Sequence, residues 1–496
     1  MVVALKLILS TIPYKYYSET CKRKIFKIGC CCIRIVRKNI SLLIVTFIII
    51  SVTTVTTALV QSEQFKTSSY YVLASPQQKE NVTITVLVQR LGKEDMVKEL
   101  LNDAVNKVRS NHSDLSINLK YVELHDLPPA ATKDQMLTAI ANGTHIDIIS
   151  LDQIWLGEFA EKGFLTDLTN YTEKWGKISE WYQSNLDGGV YDDRIYGIWY
   201  ETDVRGTWYW KDLLNQANVD PNMLKTWDGY IEAAKKLNTV LRPQGIEGVH
   251  LTGASHSPDV WYPYLWMLGG SIVESRPGHP TKGSYWYPSY NSSEGVKALE
   301  FIKDQVEAGV KPQKIPVGIG EMDREFANRK FAVMIEGSWM PGAWSNLTRQ
   351  QVDNIGFIPM FPVPDNKTST STLMGGWQFN IPVTSSHKDI AWEVIVNMLK
   401  PEVLSPWLAQ QGFLPTQITL GEGAGPYANI IRSSIPFYDE MVSMISEGRS
   451  RPSIPEYQTI ADHVRQALDE VYYGIKVPKQ ALDDAAAKSA KVLGWL

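Results

Sequence analysis

The 496-residue chain is 44% hydrophobic and 21% charged, a globular composition in a length too great for one ordinary domain. Its net charge of −4 hides an asymmetry: residues 1–38 carry nine Lys/Arg and one acid, so the remainder stands at −4 − 8 = −12. A body that acidic excludes an electrostatic footprint for nucleic acid. The four cysteines, Cys21, Cys30, Cys31 and Cys32, all precede it, which leaves it without disulfide or thiol chemistry.

A basic cytoplasmic segment, residues 1–39, leads into an uncharged apolar run at 40–60 that is long enough to span hydrocarbon. Lys/Arg on its N-terminal side keep that end inside the cell, so the run is a transmembrane anchor or a signal segment cleaved near 58–62. Residues 61–80, rich in Gln, Ser and Thr, read as a linker. Acceptor sequons at Asn81, Asn111, Asn142, Asn170, Asn291, Asn346 and Asn366 fit an exterior location.

The body opens with a strand at 82–88, a helix at 94–109, a strand at 117–123 and a helix at 133–142 stopped by Gly143. An apolar strand at 146–151 follows, closed by Asp152. This alternation predicts a parallel α/β sheet covered on both faces, whose ligands sit beyond the carboxyl ends of the strands. Asp152 occupies that kind of position; its competing role is to cap the helix that begins near Gln153.

Residues 196–214, YGIWYETDVRGTWYWKDLL, interleave Tyr196, Trp199, Tyr200, Trp208, Tyr209 and Trp210 with Glu201, Asp203 and Arg205. Aromatic faces with charges among them suit the C–H faces and hydroxyls of a sugar. The plain alternative is a buried strand pair in which the rings are core. Further helices are read at 227–237, 293–309, 321–328, 388–399, 436–446 and 457–473, with a buried strand at 331–335 and an extended crossover at 357–364. There is no phosphate loop, no HExxH and no calcium-loop spacing. The eight histidines (His112, His125, His145, His250, His256, His279, His387, His463) are scattered and read as surface or loop residues. Neither a cofactor nor a metal is expected.

Six segments then carry a resemblance: LDQIWLGEFAEKGFLTDL (151–168), ETDVRGTWYWKDLL (201–214), a TWD helix start at Thr226, FAVMIEGSWMPG (331–342), GGWQFNIP (375–382) and RPSIPEY (451–457). In this order and spacing the body resembles the family 1 extracellular solute-binding proteins of ABC importers, the maltose- and trehalose-binding group. The resemblance implies an α/β fold of two lobes, periplasmic-binding-protein-like and of type II, that close on a hinge. The lobes are placed at 81–200 with 374–432, and at 203–373 with 433–496. It implies a monomer on the outer face of the membrane, whose partners are a carbohydrate ligand and the permease subunits of an importer.

Carried over by position, Asp152 and Asp203 match carboxylates that accept sugar hydroxyls, Trp339 a stacking ring and Arg451 a second-lobe polar contact. Gly375, Gly376 and Trp377 match a loop whose backbone nears the ligand. WYETDVR (199–205) is one residue longer than the family's commoner WYTDTR, which departs from the pattern at Glu201; Glu201 and Tyr200 stand among the ligand candidates. Trp261, Tyr264 and Trp266 are further ring platforms, with Trp266 read as core. Two alternatives stay open: a secreted glycoside hydrolase using Asp152 and Asp203, and a binding protein for a non-sugar solute.

Overall fold

A computed structural model describes residues 79–89, 94–124, 129–252, 258–313, 319–365 and 370–496. The basic segment, the apolar run at 40–60 and nearly all of the linker lie outside these residues. Among the described residues no helix is long and apolar enough to cross a membrane.

The elements run β1 (Glu80–Gln89), α1 (Glu94–Asn111), β2 (Leu115–Leu124), α2 (Pro129–Ala141), β3 (Ile148–Asp152), β4 (Ile198–Trp210), α3 (Trp227–Leu241) and β5 (Glu247–Val249), with shorter pieces between. A hairpin, β6 (Val273–His279) and β7 (Gly283–Pro288), precedes α4 (Ser293–Glu307), β8 (Phe331–Gly337), β9 (Ile355–Ile358) and β10 (Thr372–Asn380). The C-terminal part is helical and includes α5 (Lys388–Met398), α6 (Pro401–Gln411), α7 (Tyr457–Tyr472) and α8 (Pro478–Val492).

Helix and strand follow from residue spacing. β1 buries Val82, Ile84, Val86 and Val88 on one face and Thr85 and Leu87 on the other, as a strand covered on both sides must. α1 buries Leu100, Leu101, Ala104, Val105 and Val108, a stripe of helical period, and packs on α5. α7 and α8 pack together, and α8 buries Ala481, Leu482, Ala485 and Ala486.

The main sheet has the order β2-β1-β3-β10-β4-β8-β5, with β9 beside β4. Strands β2, β1 and β3 are parallel, as are β8 and β5. The all-parallel expectation fails between these groups. There β10 runs antiparallel to both β3 and β4, and β4 is antiparallel to β8 and β9. The reason is connectivity: β4 carries the chain from one parallel group towards the other. Its first half pairs with β10 through Ile198–Val204 positions, and its second half pairs with β8 and β9 through Arg205 to Trp210.

Two further expectations are revised, and one is refined. Gly375 and Gly376 lie within β10, not in a loop. The crossover at 357–364 begins as strand up to Ile358 and makes a further parallel bridge from Val363 to Thr226. The helix expected at 436–446 shortens to Tyr438–Ser443. The β6–β7 hairpin, α6 and α8 were not anticipated by periodicity.

Candidate functional site

Register assembles the site. Asp152, the last residue of β3, lies opposite Trp377 on β10, and Trp377 lies opposite Glu201 on β4. Two residues along, Gly375 faces Asp203. Side chains opposite in register, or two apart on one strand, share a face of the sheet. Asp152, Trp377, Glu201, Asp203 and Arg205 therefore project to one side. Tyr200 falls at the register shift between Trp377 and Gln378, so period two breaks there: its ring stacks on Phe379 at 4.1 Å and its hydroxyl is 3.0 Å from that of Ser150, two residues along from Trp377 and Asp152 on the same face. The structure thus places Tyr200 in the core beneath the other candidates, fully buried against Phe379 and Ser150.

The two glycines are explained by close approach. A Cβ on Gly375 would fall 2.6 Å from Asp203 Oδ2, and one on Gly376 would fall 2.5 Å from the Glu201 carbonyl. Gly376 also sits at φ +154°, where L side chains are rare.

Arginines hold the acids together. Asp259, in the 3₁₀ turn Pro258–Val260, receives Arg205 Nη1 at 3.1 Å and Arg451 Nη1 at 3.0 Å on the same oxygen. Arg451 Nη2 is 3.7 Å from Asp152 Oδ1, and Arg205 Nε is 4.0 Å from Glu336 Oε1. The Arg451 backbone is fixed by Gln153 Nε2, which donates to its carbonyl at 2.7 Å and to Ser453 Oγ at 3.0 Å. The capping role read for Asp152 is present: Oδ1 accepts from Ile154 N at 3.2 Å and caps the turn Gln153–Trp155.

Asp152, Glu201, Asp203, Asp259 and Glu336 face Arg205 and Arg451, a formal charge of 2 − 5 = −3. Burial pushes the Asp203 carboxyl up to about 6, with Arg205 and Arg451 opposing. Burial also raises Asp152 against the pull of Arg451, and raises Glu336 against that of Arg205. Glu201 rises well above the usual range through burial and the neighbouring charge of Asp203. The Arg451 guanidinium is opposed by burial, but Asp259 and Asp152 outweigh it and hold the charge.

Several polar atoms are left over. Both carboxylate oxygens of Glu201, Asp203 Oδ1, Arg205 Nε and Arg451 Nε are buried without a hydrogen-bond partner. Such groups carry a desolvation cost that a fixed structural network avoids. An excess of acceptors suits a neutral ligand rich in hydroxyl donors and repels an anionic one.

Rings flank the charges. The Arg205 guanidinium lies 5.5 Å from the Trp339 ring centroid, and Trp377 meets Trp155 edge-on at 5.7 Å. Trp261 is fully buried beside Tyr262, and its indole N–H has no partner. The cluster is nearly closed over: the Asp152 and Arg451 side chains are 22% and 8% exposed. A cleft of about 800 Å³ opens beside Arg451, lined by Tyr191, Asp192, Asp193, Tyr285 and Trp286 among others. Tyr285 and Trp286 come from the β6–β7 hairpin, which Trp495 Nε1 clasps through the Trp286 carbonyl at 2.7 Å.

Sequence reading missed Asp259, Glu336 and the role of Arg205. Arg205 was findable, since it continues the period-two row of Glu201 and Asp203. Asp259 and Glu336 reach the site only through tertiary packing.

Comparison with known proteins decides the family. The sequence profile for "bacterial extracellular solute-binding protein" matches residues 112–404, more than half of the chain. The chain belongs to this family. This solute-binding protein is 24% identical to a putative binding protein of Brucella abortus over 366 residues, covering 72% of this chain and 82% of that one. It is 24% identical to the galactooligosaccharide-binding protein of Bacillus subtilis over 396 residues, covering 78% and 86%. Among solved structures, the GacH receptor of Streptomyces glaucescens superposes with a TM-score of 0.68 at 20% identity, covering 84% of this chain and 99% of that one. That likeness gives the solute-binding protein the two-lobed α/β fold of periplasmic binding proteins.

Proposed function

We propose that this solute-binding protein captures a di- or oligosaccharide between its two lobes outside the cell and delivers it to the permease of an ABC importer. The observation that carries the reading is the row of Asp152, Glu201 and Asp203, net acidic and short of hydrogen bonds, beside Trp339, Trp377 and Arg451. Hydroxyls would satisfy the stranded carboxylates while ring faces cover the sugar's C–H surfaces. The curated relative from B. subtilis and the structural neighbour, described in complex with acarbose, support a carbohydrate.

The lobes are taken as 81–200 with 374–432 and 203–373 with 433–496, and β4 and β10 pass between them. Ligand favours the closed form because only that form lets both lobes touch it. No bond is made or broken, and the protein acts as a monomer. The apolar run at 40–60 keeps the body near its importer and raises its effective concentration there.

Thermal melting of the purified protein against a carbohydrate panel tests this. A rise in melting temperature with one group of sugars is expected. A response confined to peptides or phosphate esters would reject a sugar ligand. Release of reducing sugar that disappears in Asp203→Ala would make the protein a hydrolase instead.

A further inference from the structure

Asp152 closes one end of β3; at the other end stands a second buried aspartate with different company. We propose that His145, Asp147 and His387 bind a divalent transition-metal ion of the zinc class, away from the sugar cleft. One ligand atom from each residue lies within 4.8 Å of the other two. His145 Nε2 is 3.2 Å from Asp147 Oδ2, and His387 Nδ1 is 3.5 Å from Asp147 Oδ1. With bonds of about 2.0–2.1 Å, the edge of a zinc tetrahedron is about 3.3–3.4 Å, so these separations need little adjustment. The two rings meet edge-to-face at 5.4 Å, which aims their nitrogens at the carboxylate from separate directions.

The carboxylate is preorganised. Asp147 is fully buried; Thr85 N donates to Oδ2 at 2.9 Å and Ser385 Oγ to Oδ1 at 2.7 Å. Ser385 Oγ also accepts from the His387 backbone N–H at 3.1 Å, so one hydroxyl fixes two of the three ligands. Such outer partners are what orient metal ligands. Among the described residues no Lys or Arg pairs with Asp147: the nearby Lys388 ammonium is taken by the Val383 and Ser385 carbonyls at 3.1 and 2.6 Å. A buried carboxylate needs positive charge beside it. A metal ion held by two imidazole nitrogens would supply it. The His145 side chain is 41% exposed, which gives an ion a way in and leaves room for a water ligand.

His145 and His387 stand 387 − 145 = 242 residues apart. An ion between them ties the approach to β3 to the start of α5. It joins two separate chain segments without touching Asp152, about 16 Å away along the strand.

The test is calorimetric titration of zinc chloride into the full chain, with Cys21, Cys30, Cys31 and Cys32 replaced by Ser to remove competing thiols. One equivalent should bind and raise the melting temperature. Affinity should fall at least a hundredfold in His145→Ala and in His387→Ala, and by about ten- to a hundredfold in Ser385→Ala. Circular dichroism checks folding, and His145→Ala removes only a half-exposed ring. No saturable zinc binding, or binding unchanged in both histidine variants, overturns the proposal.

Discussion

The two halves of β4 are equally rich in large side chains, yet they do opposite things. In the second half, Trp208 donates its indole N–H to the Glu336 carbonyl and Trp210 to that of Phe326, each at 3.1 Å. Every polar atom those rings bring into the interior is answered. In the first half and at its junction with the second, Glu201, Asp203 and Arg205 retain buried side-chain atoms short of hydrogen bonds. The contrast is one of charge as well as satisfaction, since a buried indole such as Trp199 also lacks a partner, whereas within β4 only the Glu201–Arg205 row leaves ionisable groups short of hydrogen bonds.

The comparison can be broken from either side. The largest effect should come from Trp208→Ala, a buried truncation expected to cost about 3–5 kcal/mol in urea unfolding. In Trp339→Ala the loss should fall on sugar affinity in calorimetry, with stability changed by about 1 kcal/mol or less. If Trp339→Ala unfolded the protein as readily as Trp208→Ala, the distinction would collapse.

Asp203→Asn should weaken sugar binding by about ten- to a hundredfold, the range for one hydrogen bond to a charged group. The same change should raise the melting temperature of the unliganded protein at pH 7.5. Its carboxyl is moved from 3.8 to about 6 by burial. The folded state therefore holds that proton more tightly, and the stability it contributes is present below 3.8 and lost as pH rises through about 6. The asparagine removes that loss, so the two proteins should differ at pH 7.5 and converge near pH 4. Ligand affinity should run the other way in wild type and decline below pH 6, as the acceptor takes up its proton. A flat affinity between pH 5 and 7.5 would remove Asp203 from the ligand contacts. The smallest effect belongs to Tyr200→Phe: loss of the hydroxyl contact with Ser150 should cost about 1 kcal/mol and leave sugar affinity unchanged.

Much of this was legible in the residues. The strand–helix alternation from β1 to β3 gave the parallel group, and the ordered motifs gave the family. Period two along ETDVR also puts Glu201, Asp203 and Arg205 on one face, whereas the register shift at Tyr200 is a cross-strand feature that alternation does not encode. What could not be read was set by distant chain. Gly375-Gly376 looks like a turn until Asp203 and the Glu201 carbonyl are seen to occupy the space a Cβ needs. Asp259 enters only because Arg205 and Arg451 converge on it. The antiparallel strands at the centre reflect connectivity, which local periodicity does not encode.

The C-terminal indole has a practical consequence. Trp495 grips the hairpin that carries Tyr285 and Trp286, and His279 of the same hairpin bonds the Leu493 carbonyl at 2.8 Å. Residues 493–495 thus work as a latch on one lip of the cleft beside Arg451. Trimming those few residues to tidy an expression plasmid would slacken that lip, and the damage would register as faster ligand escape long before it registered as misfolding.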